Sequence, residues 1–335
     1  MEKTMLREPA AANWHKALAA AIRDPDELCD VLRLPDRIRE PARRAARQFP
    51  LLVPRGFVAR MKPGDPDDPL LRQVLPIGAE EESVPGYSID PLAERASAAT
   101  PGMLQKYPGR ALLVMTGACA VHCRYCFRRH FPYDESPRKL SDWAEALAHL
   151  EADETIHEVL LSGGDPLTRT DAWLAEFARR LAAIKHVRRL RLHTRLPIVL
   201  PERVNDELLS WLTGTRLAPF VVVHCNHPAE LDGPTRRALA RLVDAGVPVL
   251  NQAVLLRGVN DDADTLAELC ERLVDLRVLP YYLHQLDRVS GAAQFEVGDE
   301  PAKKLVADLA RRLPGYAVPR LVREIPGESS KTAVR

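Results

Sequence analysis

Cys119, Cys123 and Cys126 stand in the stretch GACAVHCRYCFRRHF, residues 117–131, at C-x3-C-x2-C spacing with no fourth cysteine nearby. Three thiolates this close suit a soft metal. A [4Fe-4S] cube held by three cysteines leaves one iron open for a substrate or cofactor. Two other readings of the same residues stay open: a structural zinc site completed by His122 or His130, although zinc favours paired C-x2-C knuckles, or a trio of core cysteines. Cys29, Cys225 and Cys270 are isolated in apolar or helical patterns and read as buried free thiols. Six cysteines in 335 residues, half of them clustered, fit a reducing compartment.

The remaining composition excludes several classes. Lys plus Arg is 47 against 46 for Asp plus Glu, a net of +1, so no global charge draws the chain to nucleic acid or an acidic surface. Charges interrupt residues 1–28 every few positions, which argues against the apolar core of a secretory signal, and no later run is apolar for long enough to span a bilayer. The expectation is a cytoplasmic protein without a nucleic-acid or membrane partner.

The thiols need a scaffold, and the middle of the chain supplies one. Apolar runs ALLVM, EVLLS, LRLHT, FVVVHC, VLNQAVLL and LPYYLHQL begin at residues 111, 158, 190, 220, 249 and 279. Between them lie WAEALAHL, AWLAEFARRLAAI, NDELLSWL, TRRALARLVDAG and TLAELCERLVDL, each apolar at helical spacing. Near-continuous apolar strands alternating with amphipathic helices predict an α/β fold with a parallel sheet, and about six units suit a partial (β/α)6 TIM-like barrel, with a doubly wound sheet as the alternative. Residues 1–100 read as an N-terminal helical cap ending in a Pro- and Gly-rich connecting loop, and residues 101–335 as the barrel. A helix near 303–312 and a short strand, LVRE, precede the tail IPGESSKTAVR. Cys119 follows the first barrel strand directly, at the face where such folds carry their chemistry.

The C-x3-C-x2-C string in that position resembles the signature of radical S-adenosylmethionine (SAM) enzymes. CRYCFRRHF, SGGDPL at 162–167, HTRLP at 193–197, NHP at 226–228 and LLRGVND at 255–261 are more narrowly similar to the lysine 2,3-aminomutase family, over at least Tyr107 to Lys331. Within it, the short C-terminus and REIPGESSKT most resemble the bacterial members that supply β-lysine for modification of translation elongation factor P. The implied activity is isomerisation of L-α-lysine to (R)-β-lysine by a radical 1,2-amino shift, with three cofactors: a [4Fe-4S] cluster, SAM and pyridoxal 5′-phosphate (PLP).

By resemblance, Cys119, Cys123 and Cys126 hold the cluster, and Ser162, Gly163, Gly164, Asp165, Arg195, His224 and Gln252 meet SAM. Lys331 carries PLP, with Arg110, Lys106 and Tyr107 at its phosphate segment. Arg128 takes the substrate carboxylate, and Asp287 with Glu324 the side-chain ammonium. On sequence alone Lys331 would be a frayed tail residue and GGDP merely a good turn. Two departures stand out: the segment before Lys331 has only Gly327 where free-lysine enzymes carry a glycine run, and Glu324 replaces an Asp. Certain clostridial relatives bind an intersubunit zinc partly through a cysteine where this chain has Asp262, so no zinc is expected. The implied partners are L-lysine, a reductant such as flavodoxin or ferredoxin, and a functional link to elongation factor P and its lysyl ligase. Competing readings are a free-lysine aminomutase serving metabolite or osmolyte synthesis, and an iron-sulfur redox or sensor protein without turnover.

Overall fold

A computed structural model of the chain describes residues 13–334. The first twelve residues, part of both the expected cap and the charge-broken N-terminus, lie outside the described residues. Ten strands form one sheet in sequence order: β1 (Ala98–Thr100), β2 (Met103–Leu104), β3 (Arg110–Val114), β4 (Glu158–Ser162), β5 (Arg189–Thr194), β6 (Ala218–Val223), β7 (Val249–Val254), β8 (Leu279–His284), β9 (Arg320–Arg323) and β10 (Thr332–Ala333). Pairing is parallel from β3 through β9 and antiparallel at the ends, where β1, β2 and β10 attach. The sheet curves without closing, a partial barrel whose strands β3 to β8 are the six apolar runs.

Helices Ala144–Ala152, Asp171–Ala183, Asp206–Thr213, Gly233–Asp244 and Ala263–Asp275 return the chain between parallel strands, as each crossover requires. Thr170, Asn205, Asp232 and Asp262 start four of them, each side chain accepting from a first-turn N–H. Asp262 thus has a local task as a cap, accepting from Thr265 N at 2.8 Å. β7 stops short of its apolar run: Leu255 N still donates to His284 O at 2.8 Å, but Leu256 N turns to Asn260 Oδ1, and both residues are buried.

The strands are less uniformly apolar than a fully buried parallel sheet. On β5, Leu190 and Leu192 are buried in the core while Arg191 and His193 point to the concave side; on β7 and β8, Gln252 and His284 do the same beside Ala253 and Leu283. One continuous core joins the barrel to the N-terminal helices, with Ile22, Leu28, Phe57 and Leu70 packed in the same cluster as Leu113, Leu161 and Val221.

Candidate active site

The cysteine loop leaves the C-terminal end of β3 and is gripped from both sides. On the N-terminal side, His122 N donates to Leu52 O and Arg124 N to Gln73 O, both at 2.9 Å. The fully buried Arg124 donates through Nε to Glu80 at 2.8 Å, Arg129 reaches the same carboxylate at 2.8 Å, and both guanidinium groups lie over the Phe49 ring. On the sheet side, Gly164 N donates to Thr116 O and Asp165 N to Ala118 O. A Cβ on Gly164 would meet Ala118 O at 2.3 Å, and one on Gly163, where φ is +120°, would meet Thr116 O at 2.7 Å. The glycine pair is therefore demanded by close approach of its own turn to the cysteine loop, a reason additional to ligand access.

Asp165 has a similar positioning duty. Its carboxylate accepts from Thr194 Oγ1 (2.8 and 2.9 Å), Arg195 N (2.7 Å) and Leu167 N (3.0 Å), tying the ends of β4 and β5 together. Burial pushes it up to about 6, against those hydrogen bonds, which lower it. Arg195 in turn donates to Cys123 Sγ (2.7 Å), Gln73 Oε1 (2.6 Å) and Glu230 Oε2 (3.0 Å). Burial raises the Cys119 and Cys126 thiols, Cys126 to about 11, and in each the neighbouring cysteines raise them further, as thiols gathered in one place do. His122 and His130 are turned to backbone carbonyls, of Pro50 at 2.8 Å and Ser290 at 3.3 Å. Among the described residues no three His, Cys, Asp or Glu side chains stand at the spacing of a single bound ion. In a [4Fe-4S] cube each thiolate binds a different iron, so that donor set does not require it.

The thiols open onto a cavity of about 710 Å³ on the concave side of the sheet, which also includes Ser162, Gly163, Gly164, Asp165, Arg195, His224, Gln252, Arg110, Lys106, Tyr107, Arg128, Asp287, Glu324 and Lys331. The residues that the resemblance assigns to cluster, SAM, PLP and substrate thus share one space. His224 Nε2 and Gln252 Oε1 are buried there without a partner among the described residues, as are His193 Nε2, His284 Nε2, Arg110 Nε and Arg191 Nε. Unpartnered buried polar atoms are costly, and this many around one cavity mark a surface built to be covered by a polar ligand. Burial, then the charges of Arg195, Lys331 and Arg128, lowers His224 to about 4, leaving a neutral imidazole at neutral pH.

One wall of the cavity is a chain of alternating charge. Arg128 forks onto Glu94 (2.7 and 2.8 Å); Lys106 bridges Glu94 (3.2 Å) and Glu324 (2.9 Å); Glu324 then accepts from Lys331 Nζ at 2.8 Å. Burial opposes the Glu324 charge, but Lys331 and Lys106 outweigh it and hold the carboxyl at about 2. Among the described residues Asp287 has no ion-pair partner; burial, reinforced by Glu324, pushes it up to about 7. Lys331 is no frayed end, since Thr332 and Ala333 pair with Arg323 and Val322 of β9. Arg110 lies 4.8 Å from the Tyr107 ring centre. Sequence reasoning missed Glu94, Gln73 and Glu230, and the inward-facing His193, His284 and Arg191; for the last three, period-two alternation inside the apolar runs was the available signal.

Residues 113–212 match the Radical SAM superfamily. The chain is 48% identical to L-lysine 2,3-aminomutase of Escherichia coli K12, an alignment covering 98% of this chain and 96% of that one. It is 45% identical to L-lysine 2,3-aminomutase of Haemophilus influenzae over 96% of this chain and 95% of that one, and 33% identical to that of Clostridium subterminale over 96% and 77%. These matches imply a [4Fe-4S] cluster, SAM and PLP. The cavity suits such groups, with three thiols in one loop, a lysine and cationic groups on the wall, and unpartnered polar atoms between. A likeness that runs unbroken from the helical cap through the cysteine loop to the tail bearing Lys331 makes this chain a member of the lysine 2,3-aminomutase family of radical SAM enzymes.

Proposed function

We propose that the chain is a lysine 2,3-aminomutase, an isomerase that moves the α-amino group of L-lysine to C3 and returns a hydrogen to C2, giving (R)-β-lysine with no net change in atoms. The observation that carries this reading is the charged wall. It offers a guanidinium, Arg128, at one position and two carboxyls, Asp287 and Glu324, at another, with the Lys331 amine against Glu324, in a cavity that also receives three thiols. A substrate with one carboxylate and a distant ammonium matches those signs.

In this assignment Cys119, Cys123 and Cys126 hold the cluster. Ser162, Gly163, Gly164, His224 and Gln252 present polar atoms to SAM, while Asp165 and Arg195 fix the loop ends around it. Lys331 holds PLP, with Arg110 and Tyr107 at its phosphate, and Lys106 neutralises the two carboxylates beside it. When bound, the reduced cluster and SAM supply hydrogen abstraction, and PLP supplies the electron-accepting group through which the nitrogen migrates. The protein's part is positional. Arg128 orients the carboxylate, Asp287 and Glu324 fix the ammonium, and the barrel and residues 1–100 as its cap exclude water. His224, neutral near pH 7, brings no further positive charge to the site.

The product would serve modification of elongation factor P through a separate ligase, with flavodoxin or ferredoxin as reductant in the cytoplasm. The string REIPGESSKT and Glu324 in place of an Asp support this over free-lysine metabolism. The deciding experiment is anaerobic incubation of the iron-reconstituted protein with L-lysine, SAM, PLP and a strong reductant, read by chiral mass spectrometry. Formation of (R)-β-lysine is the expected result. Cleavage of SAM without β-lysine would remove lysine as substrate, and absence of both would leave a cluster protein without turnover.

A further inference from the structure

Glu94 has no place in the assignments above, yet it joins two of the residues expected on the charged wall, Arg128 and Lys106. It lies in the short turn Glu94–Ser97, after Ala93 in the left-handed region at φ +47°, and its N–H is held by Asp90 Oδ1 at 3.0 Å. The same strap is stitched to the loop that carries Asp287: Ser88 N donates to Arg288 O at 3.0 Å, and Ser290 N to Ser88 O at 2.9 Å. Glu94 is 3% exposed, and its carboxylate is lowered because Arg128 and Lys106 outweigh a large burial cost. A buried anion on a non-regular strap, held in a strained approach, is a costly arrangement to leave without a task.

We propose that Glu94 is the positioning residue for Arg128 and sets the enzyme's selectivity for a substrate that carries an α-carboxylate. The inference rests on the aminomutase reading above. Glu94 takes the Nε and Nη2 side of the guanidinium, and Ser162 Oγ accepts from Nη1 at 3.0 Å. Phe127 lies 4.8 Å from the guanidinium carbon. Gly163 O also accepts from Nη1, at 3.5 Å. The planar group is therefore fixed in rotation, and the Nη2 hydrogen turned away from Glu94 is what remains to meet a substrate carboxylate. Glu94 also balances the buried charge of Arg128, while Lys106 links Glu94 to Glu324. A free guanidinium would rotate among rotamers, and ordering it would fall to the substrate carboxylate, which weakens binding.

The test compares the reconstituted holoenzyme with Glu94→Gln, which keeps the shape and removes the charge, and Glu94→Asp, which keeps the charge and shortens the reach. KM and kcat for L-lysine are measured, together with inhibition by L-lysinamide, whose carboxylate is replaced by an uncharged amide. Support is a rise of about tenfold or more in KM for E94Q with kcat within about twofold, an unchanged inhibition constant for lysinamide, and an intermediate E94D. An unchanged KM, or equal weakening of lysine and lysinamide, overturns the inference. Loss of fold in both variants by circular dichroism also overturns it, since Glu94 would then be a structural residue. If the wild-type enzyme makes no β-lysine, the aminomutase reading fails on its own, and calorimetric titration of wild type and E94Q with lysine and lysinamide still decides whether Glu94 governs carboxylate recognition.

Discussion

Lys331 Nζ and Glu324 Oε2 meet at 2.8 Å across the antiparallel pairing of β10 with β9, so the amine assigned to PLP rests on a carboxylate assigned to the substrate. If Lys331 held the cofactor, its amine would be drawn away from Glu324, leaving that carboxylate, still paired with Lys106, able to receive a substrate ammonium. The expected outcome for Lys331→Ala is protein that folds, since Lys106 still pairs with Glu324 and a partly exposed ion pair contributes on the order of 1 kcal/mol or less. It should lose PLP on gel filtration and form no β-lysine. Retention of PLP absorbance in the variant would show that the lysine is elsewhere.

Asp287 makes stability depend on pH in an unusual direction. Its folded-state value is pushed up to about 7, so between the ordinary carboxylate range and 7 the folded chain holds a proton that the unfolded chain releases. The associated stability is present at pH 4, falls as pH rises, and is gone above 7. Asp165, raised to about 6, acts with the same sign over a narrower window, whereas Glu324, held at about 2, loses its contribution only below the ordinary carboxylate range. Comparing wild type with Asp287→Asn isolates the Asp287 share, whose ceiling is about 4 kcal/mol and is reduced by the partial exposure of the side chain. The Tm advantage of wild type over D287N, measured without cofactors, should shrink by several degrees between pH 5 and pH 8. A constant difference would mean that Asp287 is ionised throughout.

The barrel was legible because its strands and helices are encoded locally, by short apolar runs set against three- and four-residue spacing. Most of the site was legible for a different reason: the cysteine spacing, SGGDPL and the lysine tail are contiguous strings. Glu94, Gln73 and Glu230 were not, because each acquires its meaning through partners far away in sequence. Gln73 Oε1 receives Arg195 and Asn226, which are 122 and 153 residues distant, and nothing local distinguishes it from a surface glutamine. The Gly163–Gly164 pair shows a subtler limit. Its sequence suggests ligand access, while the Cβ contacts at 2.3 and 2.7 Å also demand glycine for the sake of the neighbouring loop.

The three thiols should act as a unit in cluster binding and hardly at all in folding. Cys119, Cys123 and Cys126 are only partly buried, so replacing any one by Ala leaves little cavity behind and is expected to shift Tm by no more than a few degrees. Iron and sulfide content after anaerobic reconstitution should nevertheless fall to background in each variant. By contrast Cys29, Cys225 and Cys270 are buried and free, and their Ala variants should retain full iron. Iron retention in a triplet variant would return the zinc or core readings to contention.

Gly164 and Gly56 offer matched substitutions with opposite outcomes. A methyl at Gly164 would sit 2.3 Å from Ala118 O and 2.9 Å from Gly117 C, all backbone, so the cysteine loop must move to accept it. Gly164→Ala is expected to cost about 1–3 kcal/mol, in the range of overpacked sites, and to lower iron incorporation because the displaced loop carries Cys119. Gly56 lies in the short helix Arg55–Val58 with nothing within 4 Å of its would-be Cβ. There Ala restricts the unfolded chain and meets no obstacle, so Gly56→Ala should be neutral or stabilising by up to about 1 kcal/mol. Thermal melts of the two apo-proteins beside their iron content would check both claims. A G164A protein with wild-type Tm and iron would mean that the turn yields easily, and the positional role given to the glycine pair would fall.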